Sequence, residues 1–326
     1  MLDLLVGQVL AGNVLSREQA LELAAWPEER LDELLEAAGR IRRAHFGDGV
    51  RFCSIAAGKV GGCSEDCAWC AQSLGHRTHI PRAARRTDLE LIVQSARQSA
   101  ENQAACFCVV NSGRRPSRAD LRHLEEIERR LAEEGLPPAC ASLGELDDAT
   151  AQRLAGMAVT RYNHNLETSR RFYARVVTTH AYDDRLATLE RARRAGMELC
   201  CGGIFGLGES WEDRVDLALT LRDQVRPQVV PLNFLHPIAG TPLEGGMRLR
   251  PEECLKIIAV FRFLLPRTDL KVAGGRAVNL GPAQSRMFQA GATSCIVGNL
   301  LTTCGPTAQE DRTLVAGLGL RVVERF

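Results

Sequence analysis

The 326-residue sequence lacks the features that mark membrane, secreted and nucleic-acid-binding proteins. It has no apolar run of about 18 or more residues, so it predicts no membrane span. The first ten residues contain neither a basic n-region nor a cleavage site, so they do not resemble a signal peptide. The 41 Lys and Arg residues balance 40 Asp and Glu, and a net charge of +1 gives no basic footprint for nucleic acid. These absences predict a cytoplasmic protein.

Internal repeats, low-complexity tracts and long Ser- or Pro-rich linkers are also missing. Hydrophobic residues make up 45% of the chain and charged residues 25%, which is typical of a globular protein. Leu21, Leu34, Leu35 and Ile41 recur at helical spacing near the amino terminus. We therefore expect an N-terminal helical extension, residues 1–45, that packs as a helical pair against one large domain, residues 46–326.

Short apolar runs alternate with longer amphipathic stretches from residue 51 onward. Strands that alternate with helices pair in parallel through right-handed crossovers. Eight such units in about 275 residues predict an α/β fold of the (β/α)8 TIM-barrel type. Periodicity alone leaves a doubly wound sheet open as the alternative. The predicted strands are Phe52–Ala56, Ala105–Val110, Ala139–Ser142, Thr160–Asn163, Glu198–Cys201, Gln228–Leu232, Lys271–Val272 and Ser294–Val297.

Cysteine is abundant, with 12 residues. A chain without a signal peptide is not expected to use them as a disulfide framework. Three of them, Cys63, Cys67 and Cys70, lie close together in one loop that begins with two glycines. Thiolates at this spacing bind zinc or an iron–sulfur cluster. Zinc would need a fourth ligand, which His76 or His79 could supply, so the residues alone leave both possibilities open.

The pattern Cys-x3-Cys-x2-Cys, with Trp69 directly before its third cysteine, resembles the radical S-adenosylmethionine superfamily. The resemblance implies a 4Fe–4S cluster on Cys63, Cys67 and Cys70. S-adenosylmethionine would bind its open iron and give a 5′-deoxyadenosyl radical on reduction. The loop follows the first predicted strand, at the C-terminal face where this type of barrel places its chemistry.

Further segments resemble the biotin synthase family in their order along the chain. The resemblance implies insertion of sulfur into dethiobiotin to give biotin, with the sulfur taken from a second iron–sulfur cluster inside the barrel. It also implies a reducing electron-transfer protein as partner, and a homodimer. The segments are residues 65–73, 162–169, 202–209, 230–233, 240–243 and 300–303.

Cysteines on three predicted strands match the second-cluster ligands of that family: Cys108, Cys140 and Cys200. Plain core packing is the alternative for such scattered cysteines. The family often uses an arginine as fourth ligand, where this chain has Lys271. A neighbouring arginine and a serine of that pattern are replaced by Cys106 and Cys53. We therefore hypothesise that the second cluster is not an arginine-capped 2Fe–2S form. It is either larger or takes a cysteine as fourth ligand.

The resemblance also implies contacts with the cofactor. Asn165 and Glu167 would hold the ribose hydroxyls of S-adenosylmethionine, although the family more often has aspartate at the second position. The glycine-rich segment 202–208, with Gly203 and Gly206, would let the backbone approach the adenosine. Its spacing is not that of a dinucleotide fingerprint, and a tight turn is the structural alternative.

Four polar residues are implied as substrate contacts. Asn163 and Asn233 would bind the ureido ring of dethiobiotin, since an amide offers both donors and acceptors. Thr302 and Thr303 would receive its carboxylate. For Asn163 and Asn165, capping of the turn after a strand is the structural alternative. His164 has no predicted catalytic role.

Two other functions stay open from the sequence. One is a different radical S-adenosylmethionine barrel enzyme, such as those of methylornithine or hydrogenase-cofactor biosynthesis, which the barrel cysteines disfavour. The other is a zinc-stabilised barrel that binds a ligand without catalysis. No role is predicted for four remaining cysteines: Cys201, Cys254, Cys295 and Cys304.

Overall fold

The computed structural model describes residues 1–298, 301 and 305–325. Eight parallel strands form a closed barrel, because the first strand pairs with the last as well as with the second. An open doubly wound sheet would leave two unpaired edges, so the closure confirms the TIM-type prediction. The barrel strands are β1 (Gly49–Val60), β2 (Ala104–Asn111), β3 (Cys140–Ser142), β4 (Arg161–Asn163), β5 (Glu198–Cys200), β6 (Val229–Phe234), β7 (Asp269–Val272) and β8 (Ser294–Ile296).

Three shorter strands attach to this barrel. Arg85–Arg86 pairs antiparallel with the end of β1, Gly203–Phe205 pairs parallel with β6, and Arg321–Val322 pairs parallel with the start of β1. The first of them lies in the long loop after β1, so pairing extends that strand beyond the apolar run that the sequence predicts. This loop and the others after the strands build the C-terminal face of the barrel.

Seven of the twelve described α-helices begin at a side-chain cap that accepts from a free N–H group of the first turn. In α5 and α9, for example, the hydroxyls of Ser117 and Ser210 accept from the third residue of the helix. The helices are α1 (Leu2–Leu10), α2 (Arg17–Ala24), α3 (Leu31–Phe46), α4 (Leu89–Glu101), α5 (Arg118–Glu133), α6 (Asp148–Gly156), α7 (Arg170–Tyr173), α8 (Tyr182–Arg194), α9 (Trp211–Thr220), α10 (Pro251–Leu264), α11 (Arg276–Leu280) and α12 (Ala308–Gly317). Two 3-10 turns, Glu28–Arg30 and Gly281–Met287, and a π-helical turn, Leu221–Val225, complete them.

The N-terminal segment contains three helices, so the predicted helical pair is wrong in number. Helix α3 packs on α10, and α2 packs on α9 and α10. Leu34, Leu35 and Ile41 are fully buried and belong to the same hydrophobic core as the barrel and its helices. The division of the chain at residue 45 stays a prediction. Among the described residues, no helix is both long enough and apolar enough to cross a membrane.

Candidate active site

The barrel register brings four cysteines together in one buried cluster. Cys53 on β1 lies beside Cys106 on β2, and Cys108 lies beside Cys140 on β3. All four side chains are buried, and they pack against each other as a unit separate from the main core. The Sγ atom of Cys106 is 2.7 Å from that of Cys140, and all four are free thiols. The alternation of side chains along β2 therefore places Cys106 and Cys108 on the same, interior side.

A fifth thiol and a lysine complete this group, which we call the barrel thiols: Cys53, Cys106, Cys108, Cys140 and Cys200. The ammonium of Lys271 on β7 donates to the Sγ atom of Cys200 at 3.5 Å, and both side chains are buried. Burial by itself lowers the pKa of Lys271, but the neighbouring thiols raise it above its usual value. The structure thus brings together every residue that the sequence predicts for the second cluster.

A charged layer closes the barrel below the barrel thiols. Arg161 at the start of β4 donates to Glu198 at 3.0 Å, and Arg51 forms an ion pair with Asp269 at 3.2 Å. Asp269 also accepts from the hydroxyl of Ser294 at 2.6 Å. Burial opposes the charge of Arg161, yet the thiols of Cys106, Cys140 and Cys200 raise the pKa of its guanidinium above the usual value. This layer separates the thiols from a cavity of about 930 Å³ at the N-terminal end of the barrel.

The three cysteines of the predicted metal motif, the loop thiols Cys63, Cys67 and Cys70, line one cavity at the opposite, C-terminal end. This site cavity has a volume of about 270 Å³. Gly61 precedes the motif with φ +75°, and a Cβ atom there would lie 2.1 Å from a backbone oxygen, so only glycine fits the turn. Burial raises the pKa of Cys70 to about 11 and also raises the pKa of Cys67.

Residues between these cysteines fasten the loop to the segment before α8. The carboxylate of Asp66 accepts from the backbone N–H groups of Thr178 at 3.0 Å and Thr179 at 3.3 Å. The neighbouring Glu65 lies 2.6 Å from Nδ1 of His180. Because three polar contacts join two loops, the cluster loop is held in one position. Sequence reasoning missed this clamp, since its two halves lie more than 110 residues apart.

His76, one of the two histidines considered as a fourth zinc ligand, does not lie beside the loop thiols. The ring of His76 lies 3.1 Å from the backbone oxygen of Cys67 rather than beside the thiols. Three soft thiolate donors around a cavity do fit an iron–sulfur cluster with one open iron.

The polar residues after β4 line the same cavity as the loop thiols. Asn165 Oδ1 accepts from Gly202 N at 3.1 Å, and its backbone oxygen accepts from Arg185 at 2.8 Å. Glu167 has a left-handed backbone with φ +70°. Its Oε2 atom and the Oδ1 atom of Asn163 are buried without a hydrogen-bond partner among the described residues. Orphaned buried acceptors are rare in folded proteins, so these two point to donors on a ligand.

Asn163 connects the two groups of thiols. It lines the site cavity together with the loop thiols, and its Nδ2 atom donates to the Sγ atom of Cys108 at 3.1 Å. His164 next to it also lines the cavity, and its Nε2 atom has no partner in the described part of the chain. Burial lowers the pKa of His164 well below its usual value, so the ring is neutral.

The other predicted contacts lie elsewhere. Both ends of the Asn233 amide bind the backbone, since Nδ2 donates to Gly203 O at 3.1 Å and Oδ1 accepts from Gly274 N at 2.9 Å. A Cβ atom on Gly203 would lie 2.6 Å from the backbone oxygen of Glu167. Gly206 N donates to a carboxylate three residues further on. None of Gly203, Gly206 and Asn233 lines the site cavity, and Thr302 and Thr303 lie outside the described residues.

The chain also resembles known proteins in sequence. Residues 59–221 match the Radical SAM superfamily, and residues 231–321 match the Biotin and Thiamin Synthesis associated domain. The biotin synthase of Geobacter sulfurreducens is 44% identical over 323 residues, which cover 98% of this chain and 96% of that protein. The biotin synthase of Heliobacterium modesticaldum is 45% identical over 315 residues, with 96% of each chain covered. The chain belongs to the biotin synthase family.

Two solved structures share its fold. Methylornithine synthase superposes with a TM-score of 0.85 at 20% identity and covers 98% of this chain and 97% of its own. The FeFe-hydrogenase maturase HydG from Carboxydothermus hydrogenoformans gives 0.82 at 18% identity, covering 100% and 80%. The sequence relatives, and not these structures, identify the activity as that of a biotin synthase, a radical S-adenosylmethionine sulfurtransferase. The two alternative functions are therefore rejected.

Proposed function

We propose that the loop thiols and the barrel thiols hold two different iron–sulfur clusters, and that the site cavity between them holds S-adenosylmethionine and dethiobiotin. The observation that supports this most directly is the position of Asn163, which lines the cavity and also donates to Cys108. A substrate bound by this amide would lie between the loop thiols and the barrel thiols. That is the arrangement that sulfur insertion requires, with radical formation on one side and the sulfur source on the other.

When bound, the 4Fe–4S cluster and S-adenosylmethionine supply a 5′-deoxyadenosyl radical, and the second cluster supplies sulfur. Cys63, Cys67 and Cys70 would hold the first cluster, since all three line the site cavity. Glu167 offers its orphaned Oε2 atom to a ribose hydroxyl, and Asn165 is oriented for the same task by its bond to the backbone. Gly203 and Gly206 keep the neighbouring loop compact, so that the backbone can approach the adenosine.

Asn163 accepts an N–H group of the dethiobiotin ureido ring on its orphaned Oδ1 atom. A neutral urea is a good partner for an amide, because each group carries both donors and acceptors. Asn233 positions the loops at Gly203 and Gly274, whose backbone its amide binds. Its amide would bind substrate only after these two hydrogen bonds break. Thr302 and Thr303 are proposed for the substrate carboxylate on the family resemblance alone.

The second cluster is held by Cys108, Cys140 and Cys200, and we propose that a further cysteine takes the place of the family's arginine. Cys106 lies 2.7 Å from Cys140, and Cys53 belongs to the same buried group. Five thiols in one space exceed what an arginine-capped 2Fe–2S cluster uses. The cluster is therefore either larger than 2Fe–2S or bound by a fourth thiolate. Lys271, which donates to the Sγ atom of Cys200, either stabilises the second cluster by its charge and hydrogen bonding or is itself a ligand of the cluster.

Other features of the family complete the proposal. We propose a reducing electron-transfer protein as partner, a homodimer, and the two-part division into residues 1–45 and 46–326. The described cysteines are all free thiols, which fits the reducing cytoplasm.

The test is an anaerobic assay of reconstituted protein with dethiobiotin, S-adenosylmethionine and a reductant. Formation of biotin and 5′-deoxyadenosine together supports the proposal. Formation of 5′-deoxyadenosine without biotin would mean that the substrate assignment is wrong. If protein that is shown to hold its clusters forms neither product, the assignment of the loop thiols is wrong as well.

A further inference from the structure

The chain between Asp66 and Asp88 carries four arginines, two histidines and no carboxylate. All six of these residues lie in residues 75–87, which we call the basic loop, at the C-terminal face of the barrel. Arg77, Arg82 and Arg85 are exposed, and none of them pairs with a carboxylate of the described residues. Arg86 differs, since it forms an ion pair with Asp120 at 2.9 Å. The loop is thus a local positive surface on a chain whose net charge is only +1.

The basic loop lies directly against the loop that carries the cluster cysteines. Leu74 N donates to the backbone oxygen of Cys63 at 2.8 Å, and the ring of His76 contacts the backbone oxygen of Cys67 at 3.1 Å. These contacts connect the exposed surface to the cluster loop over only a few residues. A protein that docks on the basic loop therefore comes close to the bound cluster without entering the site cavity.

The loop after β6 extends the same surface. Gly240 accepts from Arg77 N at 3.2 Å, and a Cβ atom on Gly240 would lie 1.9 Å from Arg77 O, so the two loops are in contact. This second loop contains Arg248, which forms no ion pair in the described part of the chain, and Met247, whose side chain is 87% exposed. Methionine and arginine are both enriched in protein interfaces relative to the rest of the surface.

The charges of the basic loop are not explained by the small ligands or by nucleic acid. None of its residues lines the site cavity that we assign to S-adenosylmethionine and dethiobiotin. Residues 71–87 contain no Phe, Tyr or Trp side chain on which bases could stack. Complementary charge mainly accelerates the encounter between proteins, which suits a partner that must bind briefly and leave.

We propose that the basic loop is the docking surface of an acidic one-electron carrier protein. This inference rests on the proposed assignment of the 4Fe–4S cluster to the loop thiols. In the transfer, the reduced carrier loses one electron and the cluster gains it, while no bond forms or breaks in the protein. The cations Arg77, Arg82 and Arg85 steer the acidic carrier to a surface beside the loop that carries the cluster cysteines.

The experiment measures how fast a photoreduced flavodoxin reduces the loop cluster of the reconstituted protein, by stopped-flow absorbance at ionic strengths of about 0.01 M and about 0.15 M. We expect Arg82→Glu/Arg85→Glu to slow this reduction about tenfold at low ionic strength and to flatten its salt dependence. The matched control is Arg267→Glu/Arg325→Glu, which makes the same charge change beside the cavity at the other end of the barrel.

Reduction by photoreduced 5-deazaflavin, a small uncharged donor, does not require a docking surface. It therefore tests the proposed function separately from the docking proposal. It should proceed at the same rate in all three proteins. If the control variant slows flavodoxin as much as the loop variant does, or if neither slows it, the docking surface is overturned. If 5-deazaflavin reduces no cluster in a wild-type protein reconstituted with iron and sulfide, the proposed function has failed instead.

Discussion

The side-chain amide of Asn163 donates to the Sγ atom of Cys108 at 3.1 Å, while its oxygen is buried without a partner. One residue therefore touches the barrel thiols and offers a free acceptor to the cavity that the loop thiols line. Because Asn163 ends β4 and Cys108 lies within β2, the contact crosses the barrel interior. It fixes how far a substrate in the cavity lies from the proposed source of sulfur.

Replacement of this amide tests the substrate site. We expect Asn163→Ala to weaken dethiobiotin binding about fivefold, which corresponds to about 1 kcal/mol for one hydrogen bond. Equilibrium dialysis with labelled dethiobiotin on protein loaded with S-adenosylmethionine measures this affinity. Asn233→Ala is the comparison, because its amide already binds two backbone groups, and it should lower the free energy of unfolding by about 1–3 kcal/mol. An unchanged affinity in Asn163→Ala would remove this residue from the substrate site.

The composition of the second cluster can be counted. A 4Fe–4S cluster and a 2Fe–2S cluster together give about six iron atoms per chain. If the second cluster is larger, we expect more than six in the wild type. If it is bound by a fourth cysteine, we expect Cys53→Ser or Cys106→Ser to lose second-cluster iron. Iron and sulfide analysis of reconstituted protein gives the numbers. Cys295→Ser is the control, since this buried cysteine belongs to the main hydrophobic core. Six iron atoms in the wild type, unchanged in both variants, would restore the ordinary 2Fe–2S form.

The clamp on the cluster loop should protect the first cluster. Asp66→Ala removes the acceptor for two backbone N–H groups, so the loop that carries Cys67 gains freedom. We expect the variant to lose its iron–sulfur absorbance in air several times faster than wild type, as about 1 kcal/mol of loop stability is lost. Asp148→Ala, which removes an exposed ion pair with Arg194, should bleach at the wild-type rate. Equal rates in Asp66→Ala would show that the clamp is unimportant.

Glu128 gives a pH dependence near the barrel thiols. Its carboxylate accepts from the backbone N–H of Ala139, directly before Cys140, and burial raises its pKa to about 7. The folded state therefore holds this proton more tightly than the unfolded state does. This proton on Glu128 therefore stabilises the folded state below the ordinary carboxyl pKa, and the stabilisation is lost as the pH rises towards 7.

The glutamine variant isolates this contribution. We expect the free energy of unfolding of wild type to fall by roughly 1–3 kcal/mol between pH 4.5 and pH 8, relative to Glu128→Gln. Denaturant unfolding at several pH values measures the difference. A pH profile of Glu128→Gln parallel to that of wild type would contradict the raised pKa.

Much of the fold follows from the sequence because periodicity is local. All eight barrel strands occur where alternation of strands and helices predicts them, and barrel closure agrees with their number. Element boundaries that depend on contacts between distant segments are harder to predict from the sequence. Strand β1 reaches Val60 because Arg85–Arg86 pairs with it, and helix α9 is followed directly by the π-helical turn Leu221–Val225.

The site was predictable to the extent that its residue types are unusual. The loop thiols and the barrel thiols stand out by number and spacing, and the structure brings each group together. Arg161 gave no such signal, because a charged residue at the start of a strand normally marks its exposed end. Asn233 shows a second limit, since the backbone groups that bind its amide lie 30 and 41 residues away in sequence.

Two groups of thiols divide the reaction between them, and Cys140→Ala tests this division most directly. Anaerobic assays should score biotin and 5′-deoxyadenosine in the same sample, beside Cys254→Ala, which removes a buried thiol on α10 in the main core. We expect Cys140→Ala to abolish biotin while 5′-deoxyadenosine still forms, and Cys254→Ala to form both. If Cys140→Ala still makes biotin at the rate of Cys254→Ala, or loses both products while keeping its loop cluster, the division of labour is wrong.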